Sequence, residues 1–400
     1  MDAFLKVAKP LLSTLMLIML ISNSPAALSL TLSSDINNDA YRNEIVSKVS
    51  EDLGLADTVL NTELKAFEER MNNNNEVSEI HECYSRILGA LKNYENSNDN
   101  AGVELCRQLL SELSDPSQIN QGQHNTCAVA ALESYLCAKD PSLVCKTVIA
   151  AKSGEFTVSD GSKIQMPPEN IAPDRDARCY RPNTPFRSYS SQLFQVAAVN
   201  AFWQTQTKDP RGVKVPKGSI MYMQDYCVGR CFPGDTSERL FIRWSADVTE
   251  FIVTEGFFPC SGPCLQAPAI DQAYRLLGGD VAEPVVLVNK RRHVGRSVEE
   301  FAKEQDLAAI LLRVKNSAAF PAIVSVSLSS KTFCPTPRLA LAQNAVRKPG
   351  PEKWHVVCIN SYDEKTGSVS VDNFWGPYSD LKAERSIPLS ELYVSTCPQS

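Results

Sequence analysis

Histidine is scarce in this chain, with four among 400 residues. A site that needs imidazole, as metal ligand or as general base, has few places to stand. A second long apolar run is also missing. Beyond residue 27 no stretch approaches the roughly 18 continuous apolar residues a membrane helix requires, so no stable membrane insertion is expected. There is no basic stripe either. The formal net charge is −6. The one basic cluster, Lys290-Arg291-Arg292-His293 with Arg296, reads as a solvated loop, and nucleic acid is not expected as a partner. No internal repeat is visible.

What is present begins with a leader. Residues 1–26 read as a secretory signal peptide: Lys6 and Lys9 form the basic region, Leu11 to Ile21 the apolar core, and Ser24-Pro25-Ala26 the small-residue cleavage site. The mature protein is expected to be secreted or periplasmic. Export gives meaning to the thirteen cysteines. An odd number in an oxidising compartment leaves one thiol unpaired. If Cys127 is that thiol, the other twelve suffice for six disulfides. Cys227-x₃-Cys231 and Cys260-x₃-Cys264 have spacings that also suit zinc, but the compartment favours disulfides, and neither metal nor cofactor is expected.

One stretch organises the rest. In Gln121-Gly122-Gln123-His124-Asn125-Thr126-Cys127-Ala128 a polar, glycine-containing loop runs into a cysteine, and good helix formers follow to Leu136. With Asn125 or Thr126 as N-cap, Cys127 falls in the first turn of a helix, where the dipole and orphan amides favour thiolate over thiol. Gln121, six positions upstream, supplies an amide for a developing oxyanion. The base is sought among few candidates. His355 lies in an apolar strand, Trp354 to Ile359. A second strand, Ser368 to Val371, leads into Asp372-Asn373-Phe374-Trp375-Gly376, where Asn373 or Asp372 is placed to orient the imidazole. His124 is too close in sequence to Cys127 to span the sulfur. His81 and His293 lie in polar segments.

These residues resemble the papain-like cysteine peptidases. Asn120-Gln121-Gly122 with Cys127 is similar to that family's nucleophile loop, His355 with Tyr362-Asp363 to its histidine strand, Asn373-Phe374-Trp375-Gly376 to its Asn-Ser-Trp-Gly segment, and Pro321 to Val326 to the strand before the histidine. The match covers about 115–137 and 305–380. Three features depart from it: Ala128 stands where the family carries Trp, the middle of the chain is expanded, and the N-terminal helices show no ordered Glu/Arg/Asn/Ile spacing like that of the family's propeptides. The resemblance implies an α+β, two-lobed fold, with a helical lobe carrying Cys127 and an antiparallel sheet lobe carrying His355 and Asn373. It also implies peptide or protein substrates and hydrolysis by Cys127, His355, Asn373 and Gln121. The alternatives are a transglutaminase or deamidase, which gains if Asp372 faces His355; a double-glycine leader peptidase, normally fused to a transporter; and a non-catalytic module keeping the fold.

The remaining segments are read from pattern. Residues 27–115 are helical, with apolar periodicity over Asn43–Gly54, Val59–Arg70 and Val77–Lys92, and form a propeptide, a cap or a permanently packed unit. The peptidase domain spans 116–400, with a disulfide-rich insertion at about 140–295 expected at the rim of the cleft. Within it Ser191–Trp203 and Ile270–Leu277 read as helices and Val285–Val288 as a strand. Ser297-Val298-Glu299-Glu300 reads as a capping box opening a helix to about Leu307, and Ile323–Leu328 as a half-buried strand.

Overall fold

The computed structural model describes residues 38–397 apart from 54–56, 74–76, 123, 182–183, 185, 226–236, 244–248, 253–264, 266, 280–282, 291–298, 329, 331, 334–353 and 375–383. The leader, the four cysteines considered for zinc, most of the basic cluster and Trp375-Gly376 therefore lie outside the described residues.

The chain is a mixed α+β protein. Among the described residues four helices come first: α1 (Asn38–Leu53), α2 (Asp57–Asn73), α3 (Val77–Asn96) and α4 (Asn100–Ser114). Each buries a stripe set by three-to-four spacing; in α2 these are Leu60, Leu64, Phe67 and Met71. Asp99 starts α4 by accepting the amide of Gly102 at 3.0 Å. Next come α5 (Cys127–Lys139) and α6 (Pro141–Lys152), a small hairpin of β1 (Glu155–Thr157) and β2 (Lys163–Gln165), and two short helices, α7 (Pro168–Ile171) and α8 (Arg175–Cys179). The long α9 (Tyr189–Gln204) follows.

The first four helices are not a separate body. One continuous core takes in Ile45, Phe67 and Ile87 from them, Ala131 and Leu136 of α5, Val144 and Val148 of α6, and Leu193 and Val199 of α9. Polar bonds cross the same boundary. Arg70 donates to the carbonyl of Cys137 at 2.8 Å, and Glu79 accepts the amide of Ser142 at 3.2 Å. Of the roles considered for this region, that of a permanently packed unit matches this packing.

The middle of the chain also differs from a rim insertion. Helix α9 runs through the centre of the helical core, buried on every side except at Phe202. It is flanked by an antiparallel meander, β3 (Ile220–Asp225), β4 (Ser237–Arg243) and β5 (Thr249–Ile252), and by α10 (Ala267–Leu277). Asn200 fixes the meander by exchanging two 3.0 Å hydrogen bonds with the backbone of Tyr222.

The second sheet has six strands: β6 (Val286–Asn289), β7 (Glu299–Phe301), β8 (Ala322–Ser327), β9 (Trp354–Asp363), β10 (Ser368–Asp372) and β11 (Glu384–Pro388), in the order β11-β10-β9-β8-β6-β7. The expectation of an antiparallel sheet holds from β8 to β11, but β6 pairs parallel with both β7 and β8. The reason is α11 (Glu304–Asn316), which carries the chain back between β7 and β8 as a crossover. Helix α12 (Leu389–Thr396) packs beside it.

Two local expectations are corrected here. Glu299 and Glu300 belong to strand β7 and not to a helix start. The capping carboxylate is Asp306, which accepts the amides of Ala302 at 3.1 Å and Lys303 at 3.0 Å. Strand β8 is buried throughout, not half-buried, because the sheet is covered on both faces: Ile323 joins the core shared with α5, and Val324 and Val326 join the one under α11. Its two serines sit in that interior as well.

No helix among the described residues is long and apolar enough to cross a membrane. The eight described cysteines, at 83, 106, 127, 137, 145, 179, 358 and 397, are thiols, where pairing was expected for all except Cys127. Five more cysteines lie outside the described residues.

Candidate active site

Helix α5 begins at Cys127 because Thr126 ends the loop as N-cap, its carbonyl accepting the amides of Val129 at 3.0 Å and Ala130 at 2.8 Å. Cys127 is half-buried, whereas Ala128 to Leu132 are completely buried. In the first turns of the helix Cys127 alone is thus accessible. Orphan amides at a helix start favour negative charge on the sulfur.

The loop ahead of it is wound tightly. Asn120 Oδ1 accepts the amide of Gly122 at 2.8 Å, and Gly122 takes φ +63°, a left-handed conformation. A Cβ at Gly122 would stand 2.5 Å from a carboxylate oxygen of Asp176, so the position requires glycine twice over. Gln121 is buried, and its Nε2 donates one hydrogen to the carbonyl of His124 at 2.8 Å. An amide nitrogen carries two hydrogens, and the second is the one a developing oxyanion would engage.

His355 stands at the start of β9, completely desolvated, with Nε2 2.8 Å from Oδ1 of Asn373. An amide oxygen only accepts, so the hydrogen lies on Nε2 and the lone pair on Nδ1. Burial pushes the pKa of His355 down to about 4, opposed by the bond to Asn373, so the ring is neutral near pH 7. Asn373 holds the imidazole at Nε2. Asp372 lies near Cys358, whose thiol is pushed well up by burial and by that carboxylate.

Two contacts bring these segments together. The amide of Gln121 donates to the carbonyl of Phe374 at 2.9 Å, so the loop before Cys127 rests on the residue after Asn373. Helix α5 itself packs on β9, where the Cys358 thiol meets the carbonyl of Ala131. Cys127 and His355 each sit at the start of their own element, and Asn373 follows the end of β10. The Gln121 loop thus lies against the Asn373 segment, which holds His355, while α5 lies against the strand that begins at His355.

A second group of residues went unnoticed in the sequence. Beneath the loop lies a buried polar network on α4, α5 and α9. Ser191 bonds to Glu112 at 2.8 Å and to Glu133 at 3.0 Å, and Gln195 bonds to Glu133 at 3.0 Å. Burial pushes Glu112 up to about 7 against the serine hydroxyls and Arg107, and pushes Glu133 well above the carboxylate range, helped by Glu112. Fully buried Arg187 binds Asp174 at 2.8 Å and Gln224 at 2.7 Å. Burial works to raise Asp174, yet the charge of Arg187 and the bond from His124 hold it far below the usual range. His124, discounted as a base, thus belongs to this network, 3.5 Å from Asp174. His81 packs edge-on against Tyr41, 5.0 Å between rings. The signal in the sequence was the Ser190-Ser191-Gln192…Gln195 run inside an otherwise apolar helix.

Compared with protein-family models, with curated proteins and with solved structures, the chain matches none. Among the described residues no cluster of three or more His, Cys, Asp or Glu is placed to hold a metal ion.

Proposed function

We propose that this chain is an exported cysteine peptidase with a papain-like arrangement, in which the helices around α5 form one lobe and the sheet from β8 to β11 the other. The observation that carries the reading is the bond from His355 Nε2 to Asn373 Oδ1 at 2.8 Å, formed at the edge where the Gln121–Cys127 loop rests on Phe374. It gives the imidazole the tautomer a base requires.

In the proposed reaction, Nδ1 of His355 takes the proton from the Cys127 thiol, and the sulfur attacks the carbonyl carbon of a peptide bond. The oxyanion is met by the second Nε2 hydrogen of Gln121 and by the backbone N–H of Cys127. As the C–N bond breaks, His355 returns the proton to the leaving amine. Water, deprotonated by the same nitrogen, then splits the thioester and restores the thiol. A neutral His355 at pH 7 favours this order, with the proton moving during attack and not beforehand.

The transglutaminase-type reading asked for Asp372 against His355, and the 2.8 Å bond between His355 and Asn373 supports the peptidase reading instead. The test is cleavage of a diverse peptide mixture by the full chain, read by mass spectrometry, with Cys127→Ala as control. Wild-type cleavage lost in the variant supports the proposal. A wild type that cleaves nothing, and whose Cys127 reacts with iodoacetamide no faster than a free thiol, overturns it and leaves a non-catalytic module.

A further inference from the structure

A threonine at a helix N-cap ordinarily turns its hydroxyl onto an amide of the helix's own first turn. Thr126 does not. Its Oγ1 donates to Oε1 of Gln195 at 2.6 Å, across 69 residues of sequence, and both side chains are completely buried. Gln195 in turn uses every hydrogen-bonding position of its amide. Oε1 also accepts from Nη1 of Arg187 at 3.2 Å, and Nε2 donates to the carbonyl of Asn120 at 3.1 Å and to Glu133 at 3.0 Å. A flipped amide would set N–H against guanidinium and oxygen against the Asn120 carbonyl. Both ends therefore fix its direction.

Asn120 immediately precedes Gln121, and Thr126 immediately precedes Cys127. We propose that Gln195 is a positioning residue for the site, a buried clamp that holds Asn120 and Thr126 at a set separation. It thereby fixes the Gln121 amide and the Cys127 thiol relative to one another. It also keeps the Thr126 hydroxyl off the start of α5, so that no side-chain cap competes there with an anion. The reaction served is the one proposed above; the clamp is a matter of loop geometry and is testable without turnover.

The experiment uses the full chain. Thr126→Val removes the hydroxyl at nearly constant shape, Thr126→Ser restores it, and Gln195→Met removes the amide. Circular dichroism and thermal unfolding check each fold. Two quantities are read: the mass-mapped rate of iodoacetamide alkylation at Cys127 across pH 5 to 9, and kcat and KM on a peptide the wild type cleaves. Thr126→Val and Gln195→Met are expected to slow alkylation and lower kcat by about 10- to 100-fold with KM little changed, and Thr126→Ser to recover most of the loss. If Gln195→Met does not fold, the Thr126 pair decides. A Thr126→Val protein alkylated with the wild-type rate and pH profile overturns the clamp, even where the wild type is an active peptidase. A wild type that cleaves no peptide speaks against the peptidase reading, and the alkylation rates still decide the clamp.

Discussion

The thiol of Cys358 donates to the carbonyl of Ala131 at 3.5 Å. Cys358 lies three residues along β9 from His355, and Ala131 one helical turn along α5 from Cys127, so this buried contact sets helix and strand in register behind the site. Such a contact between two interior groups tolerates little slippage, since interiors are packed as densely as crystals. The proposed chemistry depends on that register.

Cys127→Ala and His355→Ala are each expected to abolish turnover, and the double variant to be no worse than either, because in the proposed reaction the two groups act in one covalent step. Asn373→Ala keeps measurable activity, since it orients the ring and does not react. Steady-state kinetics on the wild-type substrate, with unfolding curves to show that the folds survive, check all four. Wild-type cleavage by His355→Ala would remove the base from this scheme.

Gln121→Ala is expected to lower kcat on the order of 10²–10³, or about 3–4 kcal/mol, with a much smaller change in KM, because in the proposed reaction its amide meets an oxygen that is anionic only in the transition state. Gln121→Glu should be at least as harmful, as a carboxylate there repels the same charge. The comparison of kcat with KM in the two variants is the measurement. An unchanged kcat in Gln121→Ala would exclude it from the oxyanion site.

The pH dependence of stability contains two opposed contributions. His355 has a folded pKa near 4 against 6.5 unfolded, so the unfolded chain binds the extra proton between these values. Its contribution is complete above pH 6.5 and is lost as pH falls through 4, amounting to about 3 kcal/mol. Glu112 runs the other way: raised to about 7 from 4.5, it favours the folded state below 4.5, and this is lost as pH rises through 7. The two windows overlap between pH 4.5 and 6.5 with opposite slopes, so the single variants, not the wild type alone, separate them. In urea midpoints followed from pH 4 to 8, His355→Gln should remove the part of the stability that rises with pH, and Glu112→Gln the part that falls. Variants that keep the wild-type profile would show that neither group carries the dependence.

Phe67 of α2 is completely buried in the core shared with α5 and α9. Phe67→Ala is expected to cost about 3–5 kcal/mol and to lower stability of the whole helical core in one cooperative transition. If instead the first helices melted alone in chemical denaturation followed by hydrogen exchange, leaving α5 and α9 protected, they would be a separable cap.

The sequence made the short-range features legible and left the long-range ones hidden. Cys127 at a helix start, His355 on a strand and the three-to-four stripes of α1 to α3 follow from local period and capping chemistry. Helix α4 lies inside the stretch read as helical but was not delimited, although Val103, Cys106, Leu109, Leu110 and Leu113 mark its buried face and Asp99 its start. Glu299-Glu300 was misread since an acidic pair after serine mimics a helix start, and only pairing of β7 with β6 settles the matter. Gln195 is marked only by the polar run it shares with Ser190, Ser191 and Gln192, which does not tell its role, because its four partners come from α5, from the loops at Asn120 and Thr126, and from Arg187.

The contact between Cys358 and Ala131 spans 227 positions of sequence, and it imposes an order on assembly. The helices before and after Cys127 find their partners close by in the chain, and contacts of that kind form early. Strand β9 and the Asn373 segment are made near the end of synthesis. Folding as it emerges, the chain would hold Cys127 on a finished helix for most of that time with neither base nor orienting amide beside it. In the proposed scheme reactivity would thus arrive with the last part of the polypeptide, and a chain interrupted before Trp354 would carry Cys127 without His355 or Asn373.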